Sequence, residues 1–138
     1  MTPDPAATGL VHSSMPLCAT LGVTASQADG DGAVLHLDWR PELCTIGGLM
    51  HGGTIMAVAD SAGAVAAYMN LPEGAVGTST ISSHTNFLGG VKEGTITASA
   101  KVLHKGSSTV VVETTVTDDR GKVVGKVTQT QSVLRPKP

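Results

Sequence analysis

His51, Gly52 and Gly53 stand directly before a long apolar run, and eight residues after Gly52 that run is broken by one carboxylate, Asp60. Two glycines at the start of a helix let a ligand come close to the backbone. The unpaired N–H groups of the first turn, at the positive end of the helix dipole, suit an oxyanion or a polarised carbonyl. Gly52 and Gly53 are therefore candidate oxyanion donors, against the plain alternative that they only let the loop pack tightly. Aspartate is a poor helix-interior residue and is rarely buried without a partner. The apolar neighbours predict a buried Asp60, and burying an ionised carboxylate unpaired costs several kcal/mol. Its structural alternative is a bond to backbone or to a hydroxyl such as that of Ser61. At about 1.5 Å per residue, Gly52 and Asp60 lie about 12 Å apart along one helix. A single reacting carbonyl cannot touch both. If they serve one site, the amide comes from one protomer and the carboxylate from a second, whose helix runs antiparallel beside the first.

Other polar residues offer less. His51 can bond a substrate or water, but a histidine at a helix N-terminus more often fixes its loop. Thr78, Ser79, Thr80, Ser82, Ser83, Thr85 and Asn86 form a hydroxyl-rich strand just after the helix. Its alternate residues either face solvent or point into a site beside Asp60. A Ser-His-Asp triad can be drawn through His84, but no G-x-S-x-G elbow supports it. His12, His36, His51, His84 and His104 fall at no recognised metal-ligand spacing, so no metal is expected. Gly89-Gly90 and Lys105-Gly106-Ser107-Ser108 complete no phosphate-loop motif.

The elements that must position these residues follow from periodicity. With 138 residues, 41% of them hydrophobic and 14% charged, the chain suits one globular domain. A net charge of -2 gives no reason to expect nucleic acid. Cys18 and Cys44 lack ligand spacing and fit free thiols in a cytoplasmic protein. The Asp60 interruption leaves the apolar helix short of the roughly 20 residues that cross a bilayer. Residues 1–9 carry no Lys, no Arg and no apolar run, so a signal peptide is not expected. Residues 1–14 are expected to be a flexible tail and residues 15–138 one domain.

A short helix closed by Gly22 is predicted at 15–22, then a hairpin of strands at 23–28 and 33–39 around Asp29-Gly30-Asp31-Gly32. The long helix runs from about 52 to 69 and stops before Leu71-Pro72. Strands follow at 77–88, 95–104, 109–118 and 123–134, rich in Thr and Val. Two strands, one long helix and four long strands argue α+β, with an antiparallel sheet of about six strands wrapped around one long central helix. A helix apolar on nearly all sides needs cover on nearly all sides, and one sheet covers one face. A second copy of the chain is the natural cover for the rest.

The segment Gly48-Leu49-Met50-His51-Gly52-Gly53 followed by Ala59-Asp60 resembles hotdog-fold acyl-CoA thioesterases of the hydroxybenzoyl-CoA and phenylacetyl-CoA branch. In that family a His-Gly-Gly turn precedes an Asp or Glu seven residues after its last glycine. Ser83-His84-Thr85-Asn86-Phe87-Leu88, Val91-Lys92-Glu93-Gly94 and the closing segments Asp118–Lys122 and Ser132–Pro136 extend the likeness over residues 20–136.

The resemblance implies dimers, often paired into tetramers, with sites at the helix interface. By position it makes Asp60 the catalytic carboxylate, as nucleophile or as general base. Gly52 becomes the backbone donor to the thioester carbonyl, and Thr80 the hydroxyl that helps hold water. Thr45, His51, Gly53 and Ala64 are expected to contact substrate. No cofactor is implied, because coenzyme A is part of the substrate and then a product. Thr45 stands where many members carry Gln or Asn, and Gly89-Gly90 where Arg-Pro is common. The function expected is hydrolysis of acyl-CoA thioesters by a homo-oligomer without nucleic-acid or membrane partners. The alternative is a non-catalytic acyl-CoA-binding module. A hydratase would need a His with an Asp about five residues before it, and no such pair lies in a suitable loop. The scarcity of aromatic residues favours aliphatic acyl groups.

Overall fold

The Thr- and Val-rich runs form β1 (Thr24–Asp29), β2 (Gly32–Asp38), β3 (Gly77–Phe87), β4 (Thr95–Lys105), β5 (Thr109–Thr117) and β6 (Val123–Leu134) in a computed structural model that describes residues 1–138. All neighbours pair antiparallel, in the order β1-β2-β4-β5-β6-β3. The chain reaches β3 only after the long helix α3 (Gly52–Tyr68) has crossed the sheet, which puts β3 at the far edge beside the last strand. This is the hotdog architecture.

Strand alternation fixes which face α3 covers. On β5, Val110, Val112, Thr114 and Val116 are buried and their neighbours are not, the period of two expected of a strand with one face on a core. The α3 residues Ile55, Val58, Ala59, Ala62, Val65 and Ala66 recur at helical spacing and bury against that face. Ala98 and Ala100 on β4 are also buried, so small residues on both elements let helix and sheet approach closely. The helix ends at Met69, three residues before Pro72.

Residues 1–14, expected to be a tail, are instead mostly a helix, α1 (Pro5–Ser14). Asp4 is its N-cap, accepting from the Ala7 amide at 2.8 Å, and Pro5 occupies the first turn, where a missing N–H costs nothing. Tertiary bonds hold it: Thr8 Oγ1 donates to the Ala25 carbonyl at 3.2 Å and accepts from the Ala25 amide at 2.9 Å. The Asp4 amide bonds the Ala25 carbonyl at 2.7 Å, and Val11 is fully buried. The short helix α2 (Pro16–Leu21) follows, closed by Gly22 in the left-handed conformation at φ 83°. Thus α1 satisfies backbone groups at the β1 edge of the sheet.

The other edge is bare. β3 has β6 as its one neighbour, and Ile81 is 63% exposed at a bulge between Thr80 and Ser82. Val76, Phe87 and Leu88 are also exposed. Along α3 the residues Met56, Asp60 and Tyr68, spaced by whole turns, form an exposed stripe beside this edge, with Ala64 half-buried among them. No helix is long and apolar enough to cross a membrane.

Candidate active site

His51 is the N-cap of α3. Its Nδ1 accepts from the Gly53 amide at 2.8 Å, and its carbonyl accepts from the amides of Thr54 and Ile55. The Gly53 N–H is therefore engaged, which removes it from the pair of expected oxyanion donors. A Cβ on Gly53 would stand 2.9 Å from that same nitrogen, so the glycine serves the cap. The imidazole fixes its loop, as a histidine in that position usually does. The Gly52 N–H makes no hydrogen bond within the chain and remains the free donor of the first turn. Gly52 lies under the ring of Phe87 from β3, where a Cβ would come to 3.1 Å from Phe87 Cζ. Edge strand and helix start thus meet here.

Two turns along α3, Asp60 is exposed in the single chain, contrary to the burial expected from its apolar neighbours. Those neighbours, Val58, Ala59 and Ala62, bury their side chains toward the sheet, while Asp60 lies on the outward stripe. Nor is Ser61 its partner, because the Ser61 hydroxyl donates back to the Ala57 carbonyl at 2.7 Å. The partners are Thr80 Oγ1, at 3.3 Å, and Gln129 Nε2, at 3.2 Å, both donating to Oδ1. Oδ2 makes no hydrogen bond within the chain.

Thr80, picked from the sequence, is thus brought to Asp60 by the pairing of β3 with β6. Gln129 and Gln131 escaped notice. Both are 1% exposed and lie in phase with buried Val127 on the inner face of β6. Two glutamines in register with core valines were the available signal. Gln131 Nε2 donates to Thr80 Oγ1 at 2.8 Å, and Gln131 Oε1 accepts from Thr78 Oγ1 at 3.1 Å.

Thr45 caps a 3-10 turn at Ile46–Gly48 ahead of α3, and its exposed hydroxyl bonds neither Asp60 nor Thr80. Ala64, one turn beyond Asp60, opens into an apolar groove of about 370 Å³ with Leu10, Met15, Val65, Tyr68 and Met69. Thr78 reaches the rim of the same groove. Beneath the site, burial pushes the Cys18 thiol above its ordinary pKa, and nearby Asp60 adds to the shift. Cys18 is therefore held as the neutral thiol. No three His, Cys, Asp or Glu side chains converge as metal ligands do.

A helix start with a free amide, a carboxylate two turns on and an adjoining apolar groove, on a sheet wrapped around that helix, define a hotdog protein with hydrolase-like equipment. The thioesterase superfamily profile matches residues 47–125, and the chain belongs to that superfamily. A Mycobacterium tuberculosis protein provisionally named an esterase is 30% identical over 128 residues, covering 91% of each chain. Its solved structure superposes with a TM-score of 0.85 at 28% identity, covering 90% of this chain and 100% of that one. A 1,4-dihydroxy-2-naphthoyl-CoA hydrolase of Listeria monocytogenes is 26% identical over 110 residues, 80% of this chain and 89% of that protein. The Escherichia coli PaaI protein shares the fold at a TM-score of 0.84 and 21% identity, covering 94% and 91% of the two chains.

Proposed function

We propose that this hydrolase of the thioesterase superfamily cleaves acyl-CoA thioesters at a site shared by two copies of the chain. The observation that carries the reading is Asp60, with Oδ1 anchored by Thr80 and Gln129 and Oδ2 unbonded on the outward face of α3. The naphthoyl-CoA relative supports a coenzyme A thioester as substrate. The Gly52 amide polarises the thioester carbonyl and holds the charge that grows on its oxygen as the carbon becomes tetrahedral. Asp60 either attacks that carbon, giving an anhydride that water opens, or takes a proton from the attacking water. In both routes the C–S bond breaks and coenzyme A departs as a thiolate, a leaving group that needs no strong general acid. Neither metal nor cofactor takes part.

Separation within the helix requires the second copy. Gly52 and Asp60 lie about 12 Å apart along α3, too far for one carbonyl to meet both. The bare β3 edge, with Ile81 63% exposed, and the stripe carrying Met56 and Tyr68, 40% and 55% exposed, offer the surface for it. Joined β3 edges would set two α3 helices antiparallel and bring each Asp60 to the other copy's Gly52. The groove at Ala64 would then take the acyl group, and its lining, in which Tyr68 is the one aromatic side chain, favours alkyl over extended aromatic chains.

Mixing Asp60→Asn chains with Gly52→Pro chains tests the shared site, since proline deletes the amide donor. A mixed dimer holds one site with both lesions and one with neither, so activity should reappear on subunit exchange. Continued silence after exchange is verified would sink the shared-site reading. The exposed, unbonded Thr45 hydroxyl, where the resemblance leads one to expect an amide, favours a second reading as an acyl-CoA-binding module. Binding of acyl-CoA without release of free coenzyme A would establish that alternative.

A further inference from the structure

We propose that Gln129 is a positioning residue for Asp60, locking Oδ1 so that Oδ2 alone faces the substrate, with Gln131 aligning Thr80 for the same task. This rests on the hydrolase reading above.

The hydrogen bonds run in one direction. Thr78 donates to Gln131 Oε1, Gln131 Nε2 donates to Thr80 Oγ1, and Thr80 donates to Asp60 Oδ1, where Gln129 Nε2 also arrives. An ionised carboxylate only accepts, so it fixes the sense of both ends: the nitrogen of Gln129 must face it, and the Thr80 proton must point at it. Once Gln131 has taken up a lone pair of Thr80 Oγ1, that hydroxyl has its proton left for Asp60. Bonds in such a chain polarise one another and strengthen.

Burial shows that this arrangement is costly to keep without a purpose. Gln129 and Gln131 are each 1% exposed, at strand positions whose neighbours in phase are valines. Gln129 Oε1 is buried with no hydrogen-bond partner, so it forfeits the hydration it has in water without a bond to replace it. A valine or leucine at 129 would avoid that loss, and what the glutamine adds is its contact with Asp60. It donates to Oδ1 at 3.2 Å and reaches the Asp60 carbonyl at 3.5 Å. Gly63 makes room for it: a Cβ there would overlap the Gln129 amide. Glycine within a helix is less favourable than alanine, so helix and strand each give up stability at the same point. An asymmetric carboxylate is what nucleophile or base needs, because one oxygen must be held still while the other reacts.

Gln129→Met keeps length and bulk and removes the donor. With an acyl-CoA that the wild type hydrolyses, kcat should fall by about 100-fold while KM changes less than about threefold, as loss of orientation at the reacting centre predicts. A merely structural defect would instead lower the unfolding midpoint, which should hold or rise. Gly63→Ala should lower kcat likewise and add little to Gln129→Met, since both break one contact. In NMR spectra of the wild type the Gln129 side-chain amide should shift when Asp60 is changed to Asn. A Gln129→Met enzyme with kcat within about threefold of wild type overturns the proposal while leaving the hydrolase reading intact. Absence of wild-type turnover across an acyl-CoA panel overturns the reading and the assigned role with it. The amide resonance distinguishes the two failures, because it reports the Gln129–Asp60 bond without turnover.

Discussion

The Thr80 hydroxyl on β3 donates to Asp60 Oδ1 on α3 at 3.3 Å, tying the exposed edge strand to the middle of the long helix. Asparagine at position 60 retains an Oδ1 that can accept the same bonds from Thr80 and Gln129. Asp60→Asn is therefore expected to fold and assemble as the wild type does, with an unchanged unfolding midpoint, and to lose most thioester turnover. Turnover within about twofold of wild type would remove Asp60 from the chemistry.

Thr45 makes no side-chain bond within the chain and caps a turn ahead of α3. Its short hydroxyl can hold a water but does not extend as a glutamine amide does. Thr45→Ala should cost less than about tenfold in rate, or 1.4 kcal/mol, while Gly52→Pro costs far more. Steady-state kinetics of the two variants side by side decide the point. A Thr45→Ala enzyme as inactive as Asp60→Asn would put Thr45 in contact with the reacting group.

Ala64 opens the groove between α3 and the N-terminal helix. Phenylalanine there fills the space that an acyl chain would occupy beside Leu10 and Met15. Ala64→Phe should lower kcat/KM for medium-chain acyl-CoA by more than about tenfold and for acetyl-CoA by much less, in keeping with the value of a few methylenes in a pocket. Equal losses for short and long chains would show that the acyl group lies elsewhere.

His36 sits on the outer face of β2, buried between Ser26 Oγ at 2.8 Å and Thr97 Oγ1 at 3.0 Å. Burial lowers its pKa from the ordinary 6.5. The unfolded chain thus binds this proton more readily than the folded one, so the stabilising contribution is complete above the ordinary value and is lost as pH falls through the folded one. Unfolding midpoints should drop as pH falls below the ordinary imidazole value of 6.5, and His36→Gln, which can bond both hydroxyls without titrating, should flatten that slope. An unchanged slope would assign the effect to other groups.

The sequence by itself determined the six strands, the short helix before Gly22, the long helix and their order. The Asp29-Gly30-Asp31-Gly32 turn, the alanine-rich run from Gly52 and the Thr/Val alternation state local preferences, and the observed bounds follow them closely. It also made Gly52 and Asp60 candidates, because glycines at a helix start and a carboxylate in an apolar run are visible without coordinates, while Thr80 was singled out by the family resemblance. Only the tertiary structure decided what each touches. Asp4-Pro5 signals a helix start, yet α1 is held by bonds to Ala25 and by burial of Val11, contacts that no local pattern reports. Gln129 and Gln131 read as strand residues until the pairing of β3 with β6 and the crossing of α3 carry them to Thr80 and Asp60. His51 takes the Gly53 amide by closing its own cap, and Asp60 faces outward because the sheet covers one side of α3. Propensity and period are properties of neighbours along the chain. Which polar groups meet depends on strand register and helix rotation, set by packing between residues as much as 69 positions apart.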